Sequence, residues 1–347
     1  MPNPGRPRLK DVAARAGVST ATVSMVLNKS TTRISPQTSE AVRRAAAELG
    51  YQPNLTARSL RTNRTQLIGM ISDYVASSPY ATGIIQGAQE AAWSREHLLL
   101  IVNTEGDTRH ENDLVQALSA RQVDGFLYAA MSHQECEVPV ALEGQHVVGV
   151  DMHIGTAGPS FVPAESAAAT TATEALLAAG HHRIGHLRGR PHATASGLRA
   201  HAFIETMRAA GCLDESLIVA HPGTHNLRDS AFGEGAARRL LSRPDRPTAL
   251  FAFNDRMALG VYRAADALGL AIPRELSVVG FDDQQLIADE LRPGLTTLAL
   301  PHYEMGRLAT LRLVDMLDTP PGYVHEPELV QLPCRLVVRD SVAPPAD

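Results

Sequence analysis

Two domains of different class are predicted for this 347-residue chain: a small all-α domain first, then a larger α/β domain of two doubly wound lobes. Three observations predict them. Apolar residues recur at helical spacing in three short blocks within residues 9–50. From Gln66 onward, short β-forming runs alternate with amphipathic helical stretches, the pattern of parallel sheets covered by helices. Charge is also divided: residues 1–64 carry 11 Lys and Arg against three acids, and the remainder carries 21 against 34. A basic head on an acidic body is expected to bind a polyanion at one end and stay soluble at the other.

In the head, Leu9, Val12, Ala13 and Ala16 share one helical face, and Gly17 stops the helix. Ser19 is the expected N-cap of a second helix, Thr20 to Leu27, with Val23, Val26 and Leu27 inward. Ser35 caps a third, with Pro36 at the first position, where a missing N–H does no harm. Ala41, Val42, Ala45 and Leu49 form its stripe and Gly50 ends it. Two helices joined by a tight turn and braced by a third make a helix-turn-helix. On spacing alone an ordinary three-helix bundle would look the same. The outer face of the second helix carries Thr20, Ala21, Thr22, Ser24 and Met25, small enough to lie deep in a major groove.

In the body, QLIGMIS, HLLLIVN, VDGFLYAA, HVVGV, RIGHLRG, TALFAF and LSVVGF are the expected strands. They are too many for one small sheet, so two lobes follow. Ligands of open parallel sheets sit beyond the carboxyl ends of strands. Asp73, Asn103, Asp151, Asn254 and Asp255, and Asp282 and Asp283 follow strands, and Arg199 lies in the helix after RIGHLRG. Such a ring suits a small hydroxyl-rich ligand, although any one of these residues could equally cap a helix.

The composition, 44% hydrophobic and 20% charged, supports globular cores and argues against wholesale disorder. With aromatics at 4%, Ala, Val, Leu and Ile must build those cores. Cys136, Cys212 and Cys334 are scattered, with no CxxC pair, as expected of reduced thiols. The N-terminus has no signal-like apolar core, and no run of 18 apolar residues occurs, so a cytoplasmic location and no membrane partner are expected. His181 and His182 adjoin in a turn, and no HExxH occurs, so no metal is expected. No phosphate loop, cofactor fingerprint or catalytic grouping is found; neither an enzyme nor a cofactor is expected.

LKDVAARAGVSTATVSMVLN, followed by ISPQTSEAVRRAAAELGYQPNLTARSLRTNRT, resembles the head of the LacI family of bacterial transcription regulators almost continuously over residues 9–65. The resemblance implies a repressor that binds double-stranded DNA at a palindromic operator as a homodimer. It divides the chain into a helix-turn-helix domain (1–52), a hinge helix and linker (53–65), an effector-binding and dimerisation domain (66–341) and a tail (342–347). Thr20 and Ala21 would choose the operator, with Thr22, Ser24, Lys10, Asn28 and Lys29 also at the DNA. Where the family often carries an Arg able to fork onto guanine, this chain has Met25, which can touch only a thymine methyl. In PNLTARSLRT (53–62) the family has a hinge helix that folds on DNA. Leu60 would wedge into the minor groove, flanked by Arg58 and Arg61. Read from residues alone, this stretch could instead be a linker helix packed on the body.

GHHRIGHLRG, the long run from PTALFAFND to LSVVGFDD, LTTLALPHYEMG and LVVRDS extend the likeness to about residue 341. This half resembles two-lobed periplasmic sugar-binding proteins. By motif, Arg199, Asn254 and Asp282 stand where the family holds its effector; Asp73, Tyr80 and Asp151 are carried over from the first lobe. FVPAES (161–166) departs from the family pattern, and Ala193 replaces an Arg of purine-responsive members, so the effector is expected to be a sugar or related metabolite. The tail has no heptads, which favours a dimer over a tetramer. The rival readings are a sugar-binding protein with an incidental basic head and an enzyme on a doubly wound fold.

The wedge has a direct check. Leu60→Ala should weaken specific binding and reduce DNA bending together, leaving non-specific affinity nearly unchanged. A normal bend with a lower melting midpoint of the free protein would make Leu60 a linker packing residue.

Overall fold

In the computed structural model, residues 7–27, 34–52, 64–191, 193–223, 228–320 and 325–346 are described. The chain divides into two compact units, residues 1–65 and 66–347. The first unit holds α1 (Leu9–Ala16), α2 (Thr20–Leu27) and α3 (Pro36–Leu49). Gly17 ends α1 with φ 67° and ψ 32°, the left-handed turn that glycine enters at little cost. The Ser19 hydroxyl accepts the Thr22 amide at 3.1 Å, and Ser35 accepts that of Thr38 at 3.1 Å. Val12, Ala13, Val23, Val26, Val42, Ala45 and Ala46 are buried as one core. Ala41 and Leu49 of the expected stripe stand at its margin, and Ala46 takes the buried place.

The second unit opens with β1 (Leu67–Ser72), α4 (Thr82–Ser94), β2 (Leu98–Asn103), α5 (Thr108–Ser119), β3 (Gly125–Glu135), β4 (Val147–His153) and β5 (Ser160–Pro163). It continues with α6 (Glu165–Ala178), β6 (Ile184–Arg188), α7 (Thr194–Ala209), β7 (Ile218–Ala220), α8 (Asp229–Leu241) and β8 (Ala249–Ala252). The last part is α9 (Asp255–Ala267), β9 (Ser277–Asp282), β10 (Thr296–Ala299), α10 (His302–Leu317), β11 (Leu329–Leu332) and β12 (Arg335–Val337). Every run expected as a strand forms one. The strands β5, β7, β10, β11 and β12 are not foreseen by the sequence pattern, because they are only three or four residues long and carry little periodic signal.

Two six-stranded sheets result, ordered β11-β5-β4-β3-β1-β2 and β12-β10-β9-β8-β6-β7. All pairs are parallel except β10 with β12. The chain therefore passes between the lobes three times, after β5, after β10 and after β11. Each sheet is packed on both faces. In the first lobe Ile68, Met70, Leu127 and Leu313 fill one side, and Ile71, Phe126 and Val147 the other. In the second, Leu187, Leu250, Val261 and Val278 face Ile184, Phe203, Phe251 and Phe281 across the sheet.

After the second passage, α10 lies along α4 with almost no side chain between the backbones. A Cβ at Gly306 would overlap the Ile84 carbonyl, and one at Gly87 the Tyr303 carbonyl. This close approach fixes the start of α10, which also lines the cleft. Gly306→Ala should destabilise the protein by about 1–3 kcal/mol, the usual cost of overpacking, read as a lower urea midpoint. Gly235→Ala, on α8 with open space around it, should not.

Candidate functional site

The head presents α2 outward. Thr20, Ala21 and Met25 are exposed, while Thr22 and Ser24 are half-buried. The Thr22 hydroxyl lies 2.9 Å from that of Ser19, so it belongs to the cap as well as to the outer face. Lys10 is exposed on α1. Asn28, Lys29, Arg58, Leu60 and Arg61 lie outside the described residues. The exposed surface of α2 is thus small, apolar to weakly polar and uncharged, set in a chain segment rich in Arg and Lys.

Between the lobes, the carboxyl ends of the strands enclose a cavity of about 170 Å³. Asp151 in the second half of β4, Asp282 as the last residue of β9 and Asn254 just after β8 stand at its wall, at the carboxyl ends that the strand-end argument expects. Tyr80 and Arg199 line it too. Asp73 does not: its Oδ1 accepts the backbone amides of Tyr74 and of Met131, the latter at 2.9 Å, so it organises loops beside the cavity. Asn103 likewise accepts the Ser72 hydroxyl at 2.6 Å. Asp255 is fully buried under Thr297 and the Gln284 amide, and Asp283 pairs with Arg339 at 2.7 Å.

Two expected ligand contacts already have partners within the protein. The Arg199 guanidinium forks onto Glu165, Nε to Oε2 at 2.6 Å and Nη2 to Oε1 at 3.1 Å. Its Nη1 donates to the Phe253 carbonyl at 2.6 Å and stands 3.6 Å from Asp282 Oδ1. The group also lies 3.5 Å from the centre of the Phe281 ring. The guanidinium fork is therefore occupied within the protein, and Arg199 lines the cavity with its donors already engaged. Asn254 caps α9, accepting the Met257 amide at 2.9 Å, while its Nδ2 donates to Asp229 at 2.8 Å.

Asp151 is different. Neither carboxylate oxygen has a hydrogen-bond partner, although the residue is 1% exposed. Its nearest basic neighbour is His302, Nε2 to Oδ2 at 4.0 Å, and that nitrogen too is unpartnered. Burial, reinforced by the Glu165 charge, raises the Asp151 carboxyl well above the usual range. Burial pushes Asp282 up to about 6, against the pull of Arg199, and holds the His302 imidazole down to about 4. Asp151 and Asp282 also have φ of 53° and 105°, the left-handed side that non-glycine residues seldom occupy. Such strain at two cavity residues is the pattern of a site in which aim outweighs backbone comfort.

Several wall residues are not foreseen by the sequence pattern. Glu165 sits in the stretch that departs from the family pattern, and Arg190, Asp229 and Arg256 lie in loops or at helix starts. Met131, Ser132 and His133 come from an irregularity in β3, where the register with β4 jumps between Ala129 and Gln134. A strand interruption of this kind re-aims side chains, and nothing in VDGFLYAA announces it. Glu165 follows β5, a strand too short to be read from the sequence, so no local signal marks it.

The geometry defines a class: a DNA-reading helical head joined in one chain to a two-lobed module with an enclosed small-molecule site. Residues 8–54 match the bacterial regulatory proteins of the lacI family, and residues 173–342 match a periplasmic binding protein-like domain. The chain is 34% identical to the ribose operon repressor of Escherichia coli K12 over 317 residues, 90% of this chain and 93% of that one. It is 30% identical to the HTH-type transcriptional repressor PurR of Serratia proteamaculans over 341 residues, 96% of each. The lac repressor dimer bound to operator and an anti-inducer superposes with a TM-score of 0.76 at 25% identity, covering 98% of this chain and all of that one. This protein belongs to the lacI family of bacterial regulatory proteins, and it is a DNA-binding transcription repressor with a small-molecule effector.

The buried imidazole gives the site a pH signature. A folded-state value near 4, below the ordinary 6.5, means that the stability His302 lends is present above pH 6.5 and lost as the pH falls toward 4. Relative to wild type, His302→Gln should lose less stability between pH 6.5 and 4.5, by about 2–3 kcal/mol, in paired urea melts. Parallel curves for the two proteins would mean that His302 is charged in the fold.

Proposed function

We propose that this repressor binds a palindromic operator as a homodimer and that a sugar held between its lobes controls that binding. The observation that carries the sugar reading is a group of unpartnered buried polar atoms at the cleft: both Asp151 oxygens, His302 Nε2 and His133 Nδ1. A buried carboxylate without a hydrogen bond costs free energy. A ligand that brings several hydroxyls, each able to donate and to accept, removes that cost on binding whichever protonation state the carboxyl holds. A flat aromatic base fits the inner cavity less well: one face of Tyr80 is covered by Arg256, centre to guanidinium carbon 5.1 Å, and one face of Phe253 by Arg199 at 4.6 Å. The ribose operon repressor, a relative over nearly its whole length, supports the same class. The lac repressor, solved as a dimer on its operator, supports the dimer. Action on DNA supports a cytoplasmic location; among the described residues no helix is long and apolar enough to cross a membrane. The reading assigns no enzymatic step.

On DNA, Thr20 and Ala21 choose the bases, Thr22, Ser24 and Met25 complete the groove-facing surface, and Lys10 meets phosphate. Asn28, Lys29, Arg58 and Arg61 extend the interface and Leu60 wedges at the centre. In the cavity, Asp151, Tyr80, Asn254 and Asp282 face the ligand, with Arg199 beneath them. Domain limits of 1–52, 53–65, 66–341 and 342–347 follow from these roles.

Asp151→Asn keeps the shape of a side chain that bonds nothing in the free protein. It should abolish the effector response of operator binding while leaving effector-free binding within about twofold, since a hydrogen bond missing only from the ligand complex costs about 1–3 kcal/mol there and nothing in the free protein. Arg199→Ala is the poorer test, because it strands Glu165 and Asp282 as buried unpaired charges and should destabilise the fold by about 3–5 kcal/mol. In the same gel-shift assay, Thr20→Tyr and Ala21→Gln should change the preferred sequence, and log K should fall with log salt at about −0.9 per phosphate contacted. An Asp151→Asn protein that still responds fully would move the effector elsewhere.

A further inference from the structure

The interlobe cleft holds two joined chambers. Beside the inner cavity of about 170 Å³ lies an outer one of about 910 Å³. Tyr80, Met131, Arg256, Asp282 and Leu300 wall both, so the two chambers adjoin along these side chains. Resting on the sugar reading above, we propose that the effector is a two-ring glycoside, with one sugar ring in the inner chamber and the second in the outer.

Three features lead there. The inner chamber alone is smaller than the roughly 300–1,000 Å³ of ordinary small-molecule sites. It fits a single small ring and leaves the larger chamber to be filled. The outer walls also have the two chemistries a sugar ring displays. Hydroxyls and amides of Ser77, Ser78, Gln86 and Gln284 can meet its polar edge. The rings of Tyr74 and Tyr303 and the side chain of Leu286, 75% exposed, can meet its C–H face.

The third feature is the junction. Asp151 lines the inner chamber and His302 the outer, and their facing atoms are the unpartnered pair 4.0 Å apart. The other His302 nitrogen is held by a backbone bond to Tyr80. A hydroxyl at the apex of a triangle on these two atoms lies within hydrogen-bond distance of both. It therefore stands where the two chambers adjoin, the place that the linkage of a two-ring ligand would take. A single ring confined to the inner chamber reaches Asp151 but leaves the outer walls to water.

The test is calorimetric titration of the full chain with pentoses, hexoses and their disaccharides, repeated on Gln86→Trp. Gln86 is exposed on α4, donates to Glu90, and lines the outer chamber alone. At least one disaccharide should bind tenfold or more tightly than either of its component monosaccharides. Gln86→Trp should remove that advantage while leaving monosaccharide affinity and the ligand-free melting midpoint unchanged. Monosaccharide binding as tight as that of every disaccharide, equal in both proteins, overturns the two-ring ligand and leaves the sugar reading standing. No binding by any sugar overturns the sugar reading and this inference with it.

Discussion

One buried guanidinium makes the cleft possible. Asp151, Glu165 and Asp282 all line one largely buried cavity, and three carboxyl groups cannot all ionise there unopposed. Arg199 supplies the opposing charge, forked on Glu165, near Asp282 and seated on Phe281. Its bond to the Phe253 carbonyl ties α7 to the end of β8, and its fork ties α7 to the start of α6. The neutralisation is incomplete because of where the groups stand: Asp151 lies beyond the hydrogen-bond reach of Arg199 and keeps two oxygens open. The residue that holds the site together and the residue that stays available to a ligand are thus different.

The passages between the lobes are themselves walls of the site. Glu165 follows the first passage directly, and Leu300, His302 and Tyr303 belong to the second. Cys334, in the third, has its thiol pushed up to about 12 by burial and by the nearby Glu165 charge. Elements that absorb a change of angle between lobes are a few residues at element ends. Here those residues also touch the ligand space, so occupancy of the cavity and the angle between lobes act on the same atoms. The close fit of α10 on α4 at Gly306 and Gly87 anchors the far end of the second passage in the first lobe.

Much is legible in the sequence because it rests on local physics. Helix spacing, Gly17 and Gly50 as stops, and Ser19 and Ser35 as caps are decided within a few residues, and each forms as expected. The longer strands are legible because β-forming runs bounded by polar residues have few other uses. The strand-end argument finds Asp151, Asn254 and Asp282, since topology alone sends those positions to the cleft. It fails where a polar residue at a strand end serves a neighbouring loop, as Asp73 and Asn103 do.

The sequence by itself determined the two-part plan, the reading head and the strand ends from which a site is built, because these follow from periodicity, capping and charge along the chain. Only the tertiary structure decided who partners whom inside the cleft. Arg199 and Glu165 are 34 residues apart, and Asp151 and His302 are farther apart still. Whether a carboxylate is neutralised, capped or left open depends on which atoms three passages of chain bring within about 3 Å of it, the reach of a hydrogen bond, and no local pattern carries that information.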